Sequence, residues 1–248
     1  MADGGGTRSS RRLELPSPVA LSCNGAATKM SPVSGVGMNL AVGLEPLPRA
    51  FFERDALVVA RALVGTRLVV GPSTGSCAAN ARTDDAPRIA RIVETEAYRG
   101  PKDLACHARV GVTKRTRTLY GPPGHAYVFL IYGMYDCFNV VSFGEGKGHA
   151  VLVRAVEPVT GLPEEMSTKG PGRLTRALEI TRADDALDLV AGERIFIAAR
   201  DRRPRIGVSA RVGVAYAGEW ADRPWRFFDR DSAHVSRPPA KSIGRPSS

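Results

Sequence analysis

The sequence predicts a mixed α/β domain of the α+β kind, built on a β-sheet with flanking helices and one protruding β-hairpin. Three observations lead there. The heptad Ile92-Val93-Glu94-Thr95-Glu96-Ala97-Tyr98 reads as a strand at period 2, with Ile92, Glu94, Glu96 and Tyr98 on one face and Val93, Thr95 and Ala97 on the other. The run from Ala126 to Tyr135 is rich in β-branched and aromatic residues and is interrupted at Tyr132-Gly133-Met134, as a hairpin turn would interrupt it. Between Phe51 and Leu63 the apolar positions Phe52, Ala56, Val59, Ala60 and Leu63 recur at helical spacing, with Asp55 early in the run.

Taken in order, the fold begins near Leu47. Gly65 stops the first helix, and Thr66 to Val70 reads as a strand. Residues 71–88 form a polar loop longer than most connections, which predicts mobility; Cys77 lies in it. After the heptad strand and the hairpin, Ala150 to Val156 reads as another strand, ended by Glu157-Pro158. Gly170-Pro171 opens a helix with Pro in its first turn, whose free N–H groups and Arg173 could hold a phosphate. Thr181 to Val190 is a short acidic connection, and Gly192 to Ala199 includes a further strand. Trp220, Trp225 and Phe227 are expected to close the core. The domain is therefore expected over 47–236. Residues 1–46, rich in Gly, Ser and Pro and without periodicity, read as a disordered tail, and 237–248 as a flexible one. Arg8, Arg11 and Arg12 faintly resemble an organelle-targeting segment; a start at Met30 or Met38 explains the tail equally well.

The chain has 248 residues, enough for one ordinary domain or two small ones, and no apolar run approaches the ~18 residues of a membrane span. Its net charge is +10. Only +1 of this falls on 1–48 (Arg8, Arg11, Arg12 and Lys29 against Asp3, Glu14 and Glu45), so +9 belongs to the folded part. A basic globular surface suits a polyanion partner, and equally a merely soluble basic protein. Cysteines at 23, 77, 106 and 137 form no Cys-x-x-Cys pair, which argues against a zinc site, a dithiol redox site and a disulfide scaffold, and for a reducing compartment.

Chemistry concentrates between Arg91 and Arg154. A carboxylate on a face that is otherwise apolar and aromatic is either a general base or half of a buried Glu–Arg pair, with Arg154 one candidate for the cation. His107 is a lone histidine, of interest for its nearness to the carboxylate strand. Thr113, Lys114, Arg115 and Arg117 belong to a segment that interleaves cations with hydroxyls, a mixture that commonly meets phosphate oxygens and is otherwise a solvated loop. Tyr132, followed by Gly133, should stand at an exposed tip, where an aromatic ring is costly unless it inserts into something such as stacked bases.

Read together, Arg91 to Tyr98, Tyr132-Gly133-Met134-Tyr135, Arg154-Ala155-Val156-Glu157-Pro158, Arg211-Val212-Gly213-Val214 and Ala217-Gly218-Glu219-Trp220 resemble the alkyladenine (3-methyladenine) DNA glycosylases of the mammalian type. The resemblance covers about 46–236, apart from the 71–88 loop. It implies a single mixed α/β domain around a curved antiparallel sheet. It further implies a monofunctional enzyme of base excision repair that flips a damaged purine out of duplex DNA and hydrolyses its N-glycosidic bond. In that likeness Glu96 matches the general base that activates water, and Arg154 and the backbone carbonyl of Val212 match the groups that hold that water. Tyr98, His107 and Phe129 match the stacking walls, Asn139 a residue that discriminates among purines, and Tyr132 the wedge that enters the minor groove. No metal or other cofactor is implied. The partner is double-stranded DNA carrying damaged purines, and the protein is expected to be a monomer with no membrane contact. The expected location is the cytoplasm and nucleoid of a bacterium, or the nucleus or an organelle of a eukaryote.

Phe129 departs from the mammalian form, which has tyrosine there. The ring still stacks but offers no hydroxyl, which puts base range and turnover in question. Two other classes stay open. A non-catalytic nucleic-acid-binding module would share the basic surface without needing Glu96, and a sugar-polymer hydrolase could use Glu94 and Glu96 as its two carboxylates.

Overall fold

The computed structural model describes residues 43–72 and 86–236. The expectations for residues before 43, for 73–85 with Cys77, and for 237–248 lie outside the described residues. The first helical run divides in two: α1 (Arg49–Phe52) and α2 (Ala56–Leu63). Asp55 causes the division, because its extended backbone leaves the helix and its side chain accepts the Leu57 N–H as an N-cap. The inner face of α2, with Val59, Ala60 and Leu63, is fully buried, as its spacing predicts.

Among the described residues, eight strands form one antiparallel sheet: β1 (Arg67–Val70), β2 (Arg88–Arg99), β3 (Ala126–Ile131), β4 (Tyr135–Ser142), β5 (His149–Thr160), β6 (Ile195–Ala198), β7 (Ile206–Ser209) and β8 (Arg226–Asp229). The order is β3-β4-β5-β2-β1-β6, and β8 pairs with both β2 and β7. Strand β2 is therefore the trunk of a fork. One edge runs along β5; the other pairs with β1 at Arg88 to Arg91 and with β8 at Glu94 to Glu96. Arg88, expected in the polar loop, already belongs to β2.

Where β2 changes neighbour its pleat is interrupted. Ile92 pairs with Val156 and Glu94 with Ala155, so Val93 is an extra residue on β2; Thr95 then pairs with Val153, so Arg154 is an extra residue on β5. These two bulges overturn one expectation. Ile92 lies in the main core with Ala90 and Ala97, not on the face of Glu94, Glu96 and Tyr98. A bulge adds one residue and so reverses the alternation beyond it. Strand β5 likewise continues past Glu157-Pro158, because a register shift beside Pro158 accommodates the missing N–H.

The main core packs α1, α2 and α3 (Pro171–Leu178) against the sheet through Phe52, Leu63, Phe138, Leu174 and Leu178. Trp225 and Phe227 close it, as expected, and Trp220 packs alongside. A second, smaller cluster of Cys106, Leu119, Tyr127, Val141 and Ala150 supports Tyr98 and Phe129. The hairpin between β3 and β4 turns at Tyr132 (φ 52°) and Gly133 (φ 70°), with the Met134 N–H donating to the Ile131 carbonyl. Positive φ at both central residues is the signature of a type I′ turn, whose twist suits a two-stranded ribbon. At the hairpin's base, Gly172 lets the first turn of α3 close on Tyr135; a Cβ there would stand 2.7 Å from the Tyr135 Cβ.

Candidate active site

Strand β2 carries Glu94, Glu96 and Tyr98 at period 2, and both carboxylates are fully buried. Glu96 is held at both oxygens. Oε1 accepts the Val212 N–H at 2.7 Å, and Oε2 accepts the Tyr98 hydroxyl at 2.9 Å. Arg154 Nη1 stands 3.4 Å from Oε1. Arg154 is the extra residue of its bulge, and bulges commonly re-aim a side chain beside a site. Its charge is secure: burial opposes ionisation, but Glu96 and Glu94 beside it keep its pKa above the usual value.

Val212 reaches Glu96 because Arg211 anchors its segment. The Arg211 guanidinium pairs with Asp103 through two hydrogen bonds, at 2.6 and 3.0 Å, and donates to the carbonyls of Ala97 and Trp220. It also lies 4.8 Å from the Tyr98 ring centre and 4.9 Å from that of Trp225. Such cation–π contacts hold the Tyr98 ring from behind.

Tyr98, Arg154 and Val212, the partners of Glu96, line a cavity of about 370 Å³ together with His107, Tyr127, Phe129 and Asn139. Its size suits a small aromatic ligand. The His107 and Phe129 rings meet edge-on at 4.4 Å, and Tyr127 lies 5.2 Å from Phe129. His107 Nδ1 is 3.1 Å from the Tyr127 hydroxyl. Burial, with help from Arg115 and Arg109, lowers the His107 pKa to about 4, and burial pushes the Tyr127 hydroxyl well up. Both are therefore neutral at pH 7. When Tyr127 donates to Nδ1, the imidazole proton sits on Nε2. Asn139 donates from Nδ2 to the carbonyls of Tyr127 and Cys137, which leaves Oδ1 as its remaining polar atom. Cys106 and Cys137 also line the cavity, but burial raises each thiol to about 11, so neither is a nucleophile at neutral pH.

Tyr132 stands at the cavity rim on the hairpin tip and is 82% exposed. Met134 and Tyr135 beside it are exposed as well. Thr113 and Thr116 hydrogen-bond to each other and stiffen the basic turn, presenting Lys114, Arg115 and Arg117 to solvent. Arg115 donates to the Leu130 carbonyl and lies 5.5 Å over the Phe129 ring, which ties this turn to the cavity wall. The structure brings Tyr98, His107, Phe129, Asn139, Arg154 and Val212 together around one cavity with Tyr132 at its rim; the sequence assigns no role to Arg211, Arg226 or Ser236 and offers Tyr127 only as one aromatic of the hairpin. Arg226 had a signal, a charge inside the apolar run Trp225 to Phe228, where a buried cation demands a partner. Ser236 had none.

Comparison with known proteins supplies the identity. The model of the methylpurine-DNA glycosylase family matches residues 50–233. The chain belongs to this family. A relative from Myxococcus xanthus is 49% identical over 207 residues, covering 81% of this chain and 98% of its own length. One from Anaeromyxobacter dehalogenans is 50% identical over 193 residues (77% and 87%), and one from Methanocella arvoryzae is 45% identical over 204 residues (77% and 96%). Each bears the name "Putative 3-methyladenine DNA glycosylase". Membership makes the chain a DNA glycosylase, a hydrolase of N-glycosyl bonds.

Proposed function

We propose that this glycosylase acts alone on the base, without strand cleavage, flipping alkylated purines such as 3-methyladenine and 7-methylguanine out of duplex DNA. One observation carries the reading: a fully buried carboxylate is fixed at both oxygens by Tyr98 and Val212, which line an aromatic-walled cavity whose rim holds an exposed tyrosine. The flipped base stacks among Tyr98, His107 and Phe129, while Tyr132 fills its place in the helix. Water attacks C1′ of the deoxyribose, and its oxygen forms the new bond as Glu96 takes the proton. The base departs with the electron pair of the broken N-glycosidic bond. Arg154 and the Val212 carbonyl hold the water, since the Val212 N–H is already committed to Glu96.

A base that carries positive charge before cleavage leaves as a neutral molecule and needs no acid. Neutral lesions such as hypoxanthine and ethenoadenine need a proton, and His107 with its pKa at about 4 is a poor donor at neutral pH. Cationic lesions are therefore the preferred substrates. No lysine is among the residues lining the cavity, which supports the absence of Schiff-base chemistry. The sugar-hydrolase alternative loses support, because Glu94 is saturated by Arg154, Arg226 and Ser236. The test is base release from duplexes carrying single defined lesions. Wild-type protein should release 3-methyladenine or 7-methylguanine and leave an intact abasic strand. Glu96→Gln should be slower by about 10²–10⁴-fold and still bind an abasic-site analogue. Near-normal single-turnover release by Glu96→Gln would remove Glu96 from this role.

A further inference from the structure

Glu94 is a buried carboxylate that the proposed chemistry does not use, and the chain invests unusual donors in it. Oε1 accepts from Arg154 Nε at 3.1 Å, Arg226 Nε at 2.6 Å and Ser236 Oγ at 3.0 Å, and Oε2 accepts the Ser236 N–H at 2.6 Å. These donors come from β5, from β8 and from the end of the described chain, 142 residues away from Glu94. We infer that Ser236, acting through Glu94, is a positioning residue that keeps Arg154 turned toward Glu96 and the cavity.

Two carboxylates, Glu94 and Glu96, and two guanidiniums, Arg154 and Arg226, balance in the buried cluster. A carboxylate offers about four lone-pair sites, and each buried one left empty is costly. Ser236 fills two of them on Glu94 with neutral donors. Arg154 therefore engages Glu94 through Nε, and its Nη end stays beside Glu96 and the cavity. Without Ser236 the vacant sites on Glu94 draw the Arg154 fork fully onto that carboxylate, since a guanidinium pairs best through two parallel bonds. Glu96 then loses its cation and the water its holder. The bound state of DNA, dominated by phosphate contacts, should hardly register the change.

This inference rests on the reading of Glu96 as the base. The experiment measures single-turnover base release, affinity for a duplex with an abasic-site analogue, and melting temperature, for the full chain and four variants. Ser236→Pro removes both donors and should slow release by roughly 10–100-fold with affinity unchanged. Ser236→Ala removes only the hydroxyl and should fall between it and wild type; it decides the matter if the proline variant does not fold. Ser236→Thr restores the hydroxyl and should restore the rate. Glu96→Gln is the control. If Glu96→Gln is inactive while Ser236→Ala and Ser236→Pro release base at the wild-type rate, the inference falls alone. It also falls if rate, affinity and melting temperature drop together and Ser236→Thr fails to rescue, since Ser236 is then merely structural. If Glu96→Gln stays active, this inference and the reading beneath it fall together.

Discussion

The guanidinium of Arg211 lies behind the Tyr98 ring, 4.8 Å from its centre, while its other edge grips Asp103. One buried cation thus fixes a wall of the cavity and, through its chain neighbour Val212, one oxygen of Glu96. Neither Arg211 nor Asp103 has an exposed side-chain surface. Removing one partner strands the other. Arg211→Leu is expected to destabilise the protein by about 3–5 kcal/mol in urea titration. The double variant Arg211→Leu/Asp103→Leu should recover part of that loss. A single variant that melts like wild type would show that the pair holds nothing.

Tyr132 sits in the left-handed region at φ 52°, a conformation uncommon for a bulky aromatic residue, and its ring has almost no packing to compensate. Tyr132→Gly should therefore leave stability equal to wild type or higher by up to about 1 kcal/mol. The same change should weaken flipping by about 1–3 kcal/mol, read as a smaller fluorescence change with an ethenoadenine-containing duplex. Tyr98→Ala should instead lower both stability and base release, because Tyr98 packs in the core beneath the cavity and bonds Glu96. A Tyr132→Gly protein that melts several degrees lower yet flips normally would place the ring in a packing role.

His107 links stability to pH. Its pKa is lowered from 6.5 to about 4 by burial, then by Arg115 and Arg109. The unfolded chain therefore binds a proton that the folded chain refuses as pH falls from about 6.5 to about 4. Stability should decline through that window, by about 3 kcal/mol from this residue, and level off below it. Urea midpoints of wild type and His107→Phe, compared from pH 4 to 7, isolate the contribution. Parallel curves would mean that His107 titrates normally.

The basic turn offers a test that separates charge from position. Lys114 and Arg117 are exposed and have no ion-pair partner among the described residues. If they contact phosphates, each alanine variant should weaken binding to damaged and intact duplex alike and flatten the log K against log salt slope by about 0.9. Arg115→Ala should do this and also slow base release, because Arg115 lies over Phe129 and holds the Leu130 carbonyl. Unchanged salt slopes for all three would return this turn to ordinary solvent-facing charge.

Much of the site is written locally. Glu94, Glu96 and Tyr98 share a face because strand pleating has period 2, and Tyr132-Gly133 announces a turn because a glycine there frees the backbone for positive φ. The helical spacing of Val59, Ala60 and Leu63 names the face of α2 that meets the sheet. What pleating could not reveal is where the pleat breaks. Ile92 parts company with Glu94 because β2 exchanges β1 for β8 as its neighbour there, and a change of partner is a property of the sheet. Strands β7 and β8, four residues each, are too short for a periodic signal. The division of labour between the two glutamates is the deepest case. In sequence Glu94 and Glu96 are nearly equivalent, each with Thr95 on one side and an apolar residue on the other. Only the folded chain brings Arg226 and Ser236, 132 and 142 residues away, onto Glu94, and turns Glu96 toward Val212 and Tyr98, which line the cavity. Local alternation determines which side chains share a face, whereas long-range hydrogen bonds determine which of them is saturated by Arg226 and Ser236 and which is held by Val212 beside the cavity.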